Sequence, residues 1–118
     1  MTHNENATPS FQVYEVAKEL ARACVPLIGQ IERRDRSLAD QARRAAQSVM
    51  LNVREANRRA GRDRLHGFRI AAGSADELVG ALDVAEVMGY LAAADIAAPL
   101  ALADRVLAML YRLANPRC

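Results

Sequence analysis

The chain has 118 residues, sixteen lysines or arginines, fourteen acids and a formal net charge of +2. A composition 52% hydrophobic and 25% charged excludes a disordered polymer, and the length suits one domain that buries a core without staples. Two cysteines, Cys24 and Cys118, make no disulfide framework and point to a reducing cytoplasm; the opening MTHNENATPS lacks the basic and apolar runs of a signal peptide, and Asp95, Pro99, Asp104 and Arg105 interrupt the apolar stretch 87–111, excluding a membrane span.

Residues 1–8 carry no hydrophobic period and are expected to form a tail. Thr8 followed by Pro9 suits a helix start, because proline loses nothing at the first helical position. The first predicted helix runs from about Pro9 to Ile31. Its apolar stripe is Tyr14, Ala17, Leu20, Ala21, Cys24, Leu27, Ile28 and Ile31, spaced by three and four. Pro26 falls inside that stripe and is expected to kink the helix or end it early.

After the connection ERRDR, Ser37 is the predicted cap of a second helix over about Leu38 to Ala60, stopped by Gly61. Its stripe is Leu38, Ala42, Ala45, Val49, Val53, Ala56 and Ala60. The third helix is expected from about Asp63 to Tyr90, with Phe68, Ala71, Ala72, Ala75, Leu78, Leu82, Ala85 and Met88 inward. Gly67 and Gly73 each cost roughly 1 kcal/mol of helix propensity; close backbone packing is the expected compensation. A fourth helix is expected from near Pro99 to just before Asn115, leaving 116–118 as a tail. Its apolar positions span about 200° of arc, wider than one packed face needs. Val106, Leu110 and Leu113 fill the core, while Leu100, Leu107 and Tyr111 form a second ridge. With outward Leu51 on the second helix, that ridge predicts an oligomer interface; the plainer reading is a skewed bundle that buries both ridges.

No strand-like alternation interrupts these periods. Four long amphipathic helices with short loops predict an all-α, antiparallel up-down-up-down four-helix bundle over residues 9–115.

Charge is unevenly placed. Residues 33–69 hold eleven arginines against four acids, whereas both flanks are net acidic. Within QARRAAQSVMLNVREANRR, helical projection about Val49 separates three tracks. The first is the alanine-valine seam. The second is a polar flank of Gln41, Ser48, Asn52, Glu55 and Arg59. Serine and asparagine are mediocre inside helices unless they bond across to another helix or subunit; the plainer reading is a solvated edge with a weak Glu55–Arg59 pair. The third is a guanidinium ridge of Arg43, Arg54 and Arg58, continued by Arg62 and Arg64 at the turn. Arginine forks suit phosphate. A charge run is usually a solvated face, but here the balancing acids are few. The ridge has no interleaved aromatics, so any nucleic acid would be read by backbone and shape rather than by stacking.

QARRAAQSVMLNVREA resembles the signature of the bacterial four-helix-bundle family of the 23S rRNA intervening-sequence proteins, which includes the accessory protein of diversity-generating retroelements. Gln41, Arg44, Ala45, Ser48, Val49, Asn52, Val53 and Glu55 match it. A second block, FRIAAGSADEL, is similar through Phe68, Ala71, Gly73, Ser74, Glu77 and Leu78, as are the opening VYEVAKELA and Gly89-Tyr90-Leu91. The family's glycine after Glu55 is Ala56 here, which predicts a longer second helix, and its proline in the first connection is absent. The resemblance implies a homopentamer with a basic surface and no known catalytic activity. In the retroelement branch it implies a reverse transcriptase and its RNA as partners; the arginine ridge itself leaves RNA or DNA open. It also places Arg44, Ser74 and Glu77 beside the polar flank.

Catalytic signals are weak. There is no phosphate-binding glycine loop. His3 and His66 lack partners at metal-ligand spacing, and Cys24 reads as a small core residue. Acids Asp76, Glu77, Asp83 and Glu86 read as a solvated helix face. The expectation is therefore a non-enzymatic cytoplasmic protein without cofactor or metal. It would associate with itself and bind structured nucleic acid, or serve as a scaffold whose basic surface meets an acidic protein.

Overall fold

A computed structural model describes residues 8–116; residues 1–7 of the expected tail 1–8, with His3, and residues 117–118, with Cys118, lie outside the described residues. Four helices follow in order: α1 (Pro9–Glu32), α2 (Arg36–Ala56), α3 (Gly61–Val87) and α4 (Ala93–Ala114). Each packs against its two neighbours in the cycle α1, α2, α3, α4, with α1 closing on α4. The result is an antiparallel four-helix bundle 45 Å long, close to the ~40 Å length of α3 at 1.5 Å per residue.

The core is built from small side chains on α2 and larger ones opposite. Ala39, Ala42, Ala45, Ala46, Val49, Val53 and Ala56 are buried against Leu20, Ile31, Phe68, Leu78, Leu82 and Leu110. Alanine on one helix lets its neighbours approach closely, and the bulk of leucine and phenylalanine fills the remaining space. The expected stripes hold apart from their edges. Tyr14, Ala21 and Ala72 are half-buried, whereas Ala60 and Met88 are exposed. Val13, Val16, Ala39, Ala46 and Ala81 join the core instead.

Several boundaries differ from expectation. Pro26 does not end α1, which continues to Glu32 with the proline exposed on its outer side. Ser37 does not cap α2; Asp35 does, its carboxylate accepting the Leu38 N–H at 2.9 Å. α2 stops at Ala56, four residues before the predicted Ala60, so the alanine at position 56 does not carry the helix further. The chain turns over residues 57–60 and enters α3 at Gly61 with φ +59°. The end is held by Arg64, which donates to the Ala56 carbonyl at 3.3 Å, and by Asn57, whose Nδ2 reaches the Ser10 carbonyl at 3.2 Å. α3 ends at Val87 rather than Tyr90, followed by Gly89 at φ +79°.

α4 begins six residues ahead of Pro99, at Ala93. Asp95 makes the early start workable: its carboxylate accepts the Ala92 N–H at 3.3 Å, and buried Ile96 pins the first turn to the core. Gly67 shows the close approach expected of it, since a Cβ there would lie 2.8 Å from the Cβ of Ala56. Gly73 does not, because a Cβ there would meet nothing within 4 Å.

Candidate nucleic-acid interface and the α2–α3 furrow

The bundle has two distinct ends. At one, the α1–α2 connection meets the α3–α4 connection: Gln30 Nε2 donates to the Tyr90 carbonyl at 3.3 Å, and the Arg34 guanidinium lies 5.5 Å from the Tyr90 ring centre. Its arginines, Arg33, Arg34 and Arg36, are interspersed with Glu32, Asp35 and Asp40. At the other, the α2–α3 turn sits beside the start of α1 and the end of α4, where Arg69 Nη2 donates to the Ala114 carbonyl at 3.1 Å. This second end collects Arg58, Arg59, Arg62, Arg64 and Arg69, with Glu55 and Asp63 the acids in the same stretch.

The five ridge arginines are not equivalent. Arg43 is held by two carboxylates, Asp40 Oδ1 at 2.8 Å and Glu32 Oε1 at 2.9 Å. Arg54 lies over the Tyr14 ring, 5.7 Å from its centre. Arg64 is half-buried over Phe68, 4.9 Å from the ring centre, while donating to Ala56. Arg58 and Arg62 are exposed, and their guanidinium groups have no partner among the described residues. Arg59 is 3.9 Å from Glu55, with both side chains more than half exposed; such a pair contributes little in water. Basic character is therefore densest at the α2–α3 end of the bundle and broken along the length of α2.

The polar flank lies along the furrow between α2 and α3. Ser48 and Ser74 share a hydrogen bond of 2.7 Å across the two helices. Asn52 Nδ2 donates to both the Ser48 carbonyl at 2.9 Å and the Ser48 hydroxyl at 3.0 Å. The serine thus bonds across to another helix of the same chain, whereas Asn52 bonds back to Ser48 within α2. Ser74 is buried, so its hydroxyl needs that partner. Gln41, Arg44 and Glu77 line the same stretch of furrow and stay exposed. Nearer the basic end, Asn52, Glu55, Arg59, Asp63 and His66 line it.

The apolar ridge is divided. Leu100 and Leu107 pack half-buried against the core, as does Leu113. Tyr111 is 68% exposed and Leu51 61%, but they stand on α4 and α2, diagonal helices of the bundle. Tyr111 instead borders an α3–α4 groove floored by Ala72, Leu107 and Leu110, with Arg69 and Asp76 on its lip. Sequence reasoning missed three exposed apolar residues of α3, Ile70, Val84 and Val87; the first two flank glycines and continue the furrow.

Among the described residues, no group of three or more His, Cys, Asp or Glu side chains is placed to hold a metal, and no helix is long and apolar enough to cross a membrane. Burial pushes the Cys24 thiol up from 9.0 to about 11. It stays protonated at neutral pH, in keeping with a packing role.

Comparison with known proteins agrees with this architecture. A solved structure of a protein with unknown function from the S23 ribosomal protein family of Bacteroides thetaiotaomicron VPI-5482 superposes with a TM-score of 0.80, at 20% identity, over 87% of this chain and 98% of that one. No curated protein matches. The profile of one family, described as 23S rRNA-intervening sequence protein, matches residues 9–112, which span all four helices. The chain belongs to the 23S rRNA-intervening sequence protein family.

Proposed function

We propose that this protein is a non-enzymatic homo-oligomer, five copies by the family resemblance, that binds structured nucleic acid, RNA in particular, through an arginine-rich surface. The observation that carries the reading is the uncompensated charge at the α2–α3 end, where the guanidinium groups of exposed Arg58 and Arg62 have no partner among the described residues. Planar guanidinium forks on a helix end suit phosphate oxygens, and a ring of copies repeats them at fixed spacing. Exposed aromatics do stand at this end, Phe11 at the start of α1 and Tyr111 beside Arg69, but none is interleaved in the arginine run itself, which favours backbone and shape over base stacking. Arg43 and Arg54 contribute less, because their partners lie within the chain.

The test is an electrophoretic shift on a structured RNA at low salt. Arg58→Gln together with Arg62→Gln is expected to weaken binding about tenfold or more, at about 1 kcal/mol per charged contact. Arg43→Gln should change it little. Equal shifts for the wild type and the double variant would overturn the reading. An absorbance ratio at 260 over 280 nm that stays low before and after nuclease, with binding to an acidic protein in its place, would favour the scaffold.

A further inference from the structure

Gly73 and Gly80 lie mid-helix in α3, and both are exposed. Neither has a positive φ, and a Cβ on either would meet nothing within 4 Å. Nothing inside the bundle calls for glycine there, although each weakens the helix relative to alanine. They belong to the stripe Ile70, Gly73, Glu77, Gly80 and Val84, whose steps of three and four make one helix face. Ile70 is 42% exposed and Val84 47%. Across the furrow, Arg44 of α2 lines the same pocket as Glu77. Neither Arg44 nor Glu77 has an ion-pair partner among the described residues.

We infer that the α2–α3 face is the seat of a second copy of this chain, which approaches α3 closely over Gly73 and Gly80. The inference rests on the self-association part of the function proposed above. Opposite charges on the two lips of one furrow do not suit a phosphate backbone. They suit another copy of the same chain, which brings the carboxylate that Arg44 lacks and the guanidinium that Glu77 lacks. Flanking apolar side chains are covered in the same contact, and small residues at its centre let two helices meet closely. Arg59 borders this face beside Ile70, but Arg58 and Arg62 line no part of the furrow and stay free for their ligand.

The test is the solution mass of the full chain by light scattering, against a protomer of 12.9 kDa. The wild type is expected at a multiple of that mass. Gly73→Leu with Gly80→Leu is expected at 12.9 kDa, with its helical circular dichroism intact. Arg44→Glu is expected to lower the mass, and Arg44→Glu with Glu77→Arg to restore it, which carries the test if the leucine variant loses its helical signal. An assembled wild type whose glycine and charge variants assemble equally well would overturn this face alone. A monomeric wild type at 100-fold dilution and at high concentration alike would overturn self-association itself.

Discussion

Glycine has three different meanings along α3. Gly61 reverses the chain with φ +59°, a conformation costly for a side-chain-bearing residue. Gly67 is a matter of space, with the Ala56 Cβ 2.8 Å from where its own would stand. Gly73 meets neither condition. Gly67→Ala is accordingly expected to destabilise the protein by roughly 1–3 kcal/mol through overpacking where α2 and α3 meet. Gly73→Ala is expected to stabilise the isolated subunit by up to about 1 kcal/mol. Urea unfolding of the two variants at low protein concentration checks both signs, and a like response would refute the distinction. The sequence shows four glycines in this stretch, Gly80 among them; it does not show which has a neighbour.

At the scale of the element, the helices were legible and their ends were not. Hydrophobic period located all four, because a stripe repeating every three to four residues is a property of the local chain. Caps depend on where the chain arrives from. Asp35 and Ser37 are both good capping residues. The structure selects Asp35 because α1 runs through Glu32 and leaves the connection too short to reach Ser37 unfolded. Asp35→Ala is expected to cost about 1 kcal/mol, and Ser37→Ala close to nothing, with thermal unfolding as the measurement. Equal costs would show that the Leu38 N–H finds another acceptor. Similarly, Pro99 is a plausible first residue for α4 on local grounds, but buried Ile96 and the Asp95 carboxylate start the helix earlier. Core packing outweighs the one hydrogen bond that proline removes.

Across the whole molecule, charge and shape divide the surface in two. The α2–α3 end is basic; the adjoining furrow is mixed in sign and edged with apolar side chains. If the basic end holds phosphate, binding should weaken steeply with salt through release of counterions. Removing Arg58 and Arg62 together should reduce the slope of log affinity against log salt by about 2, roughly one for each phosphate no longer neutralised. A salt titration from about 50 to about 200 mM with an unchanged slope would place the phosphate-binding groups elsewhere.

The sequence by itself determined the all-α class, the four helices and most of the buried stripe, because amphipathic periodicity and alanine-rich propensity act over a few neighbouring residues. It also carried the family, through Gln41, Ser48, Asn52, Ser74 and Glu77 in their order. Only the tertiary structure decided which polar groups are already satisfied. Ser48 meets Ser74 across 26 residues of chain, and Arg43 meets Glu32 across a turn. A guanidinium's freedom to bind a ligand depends on the carboxylates that folding brings beside it, and no helical projection of a single segment contains that information.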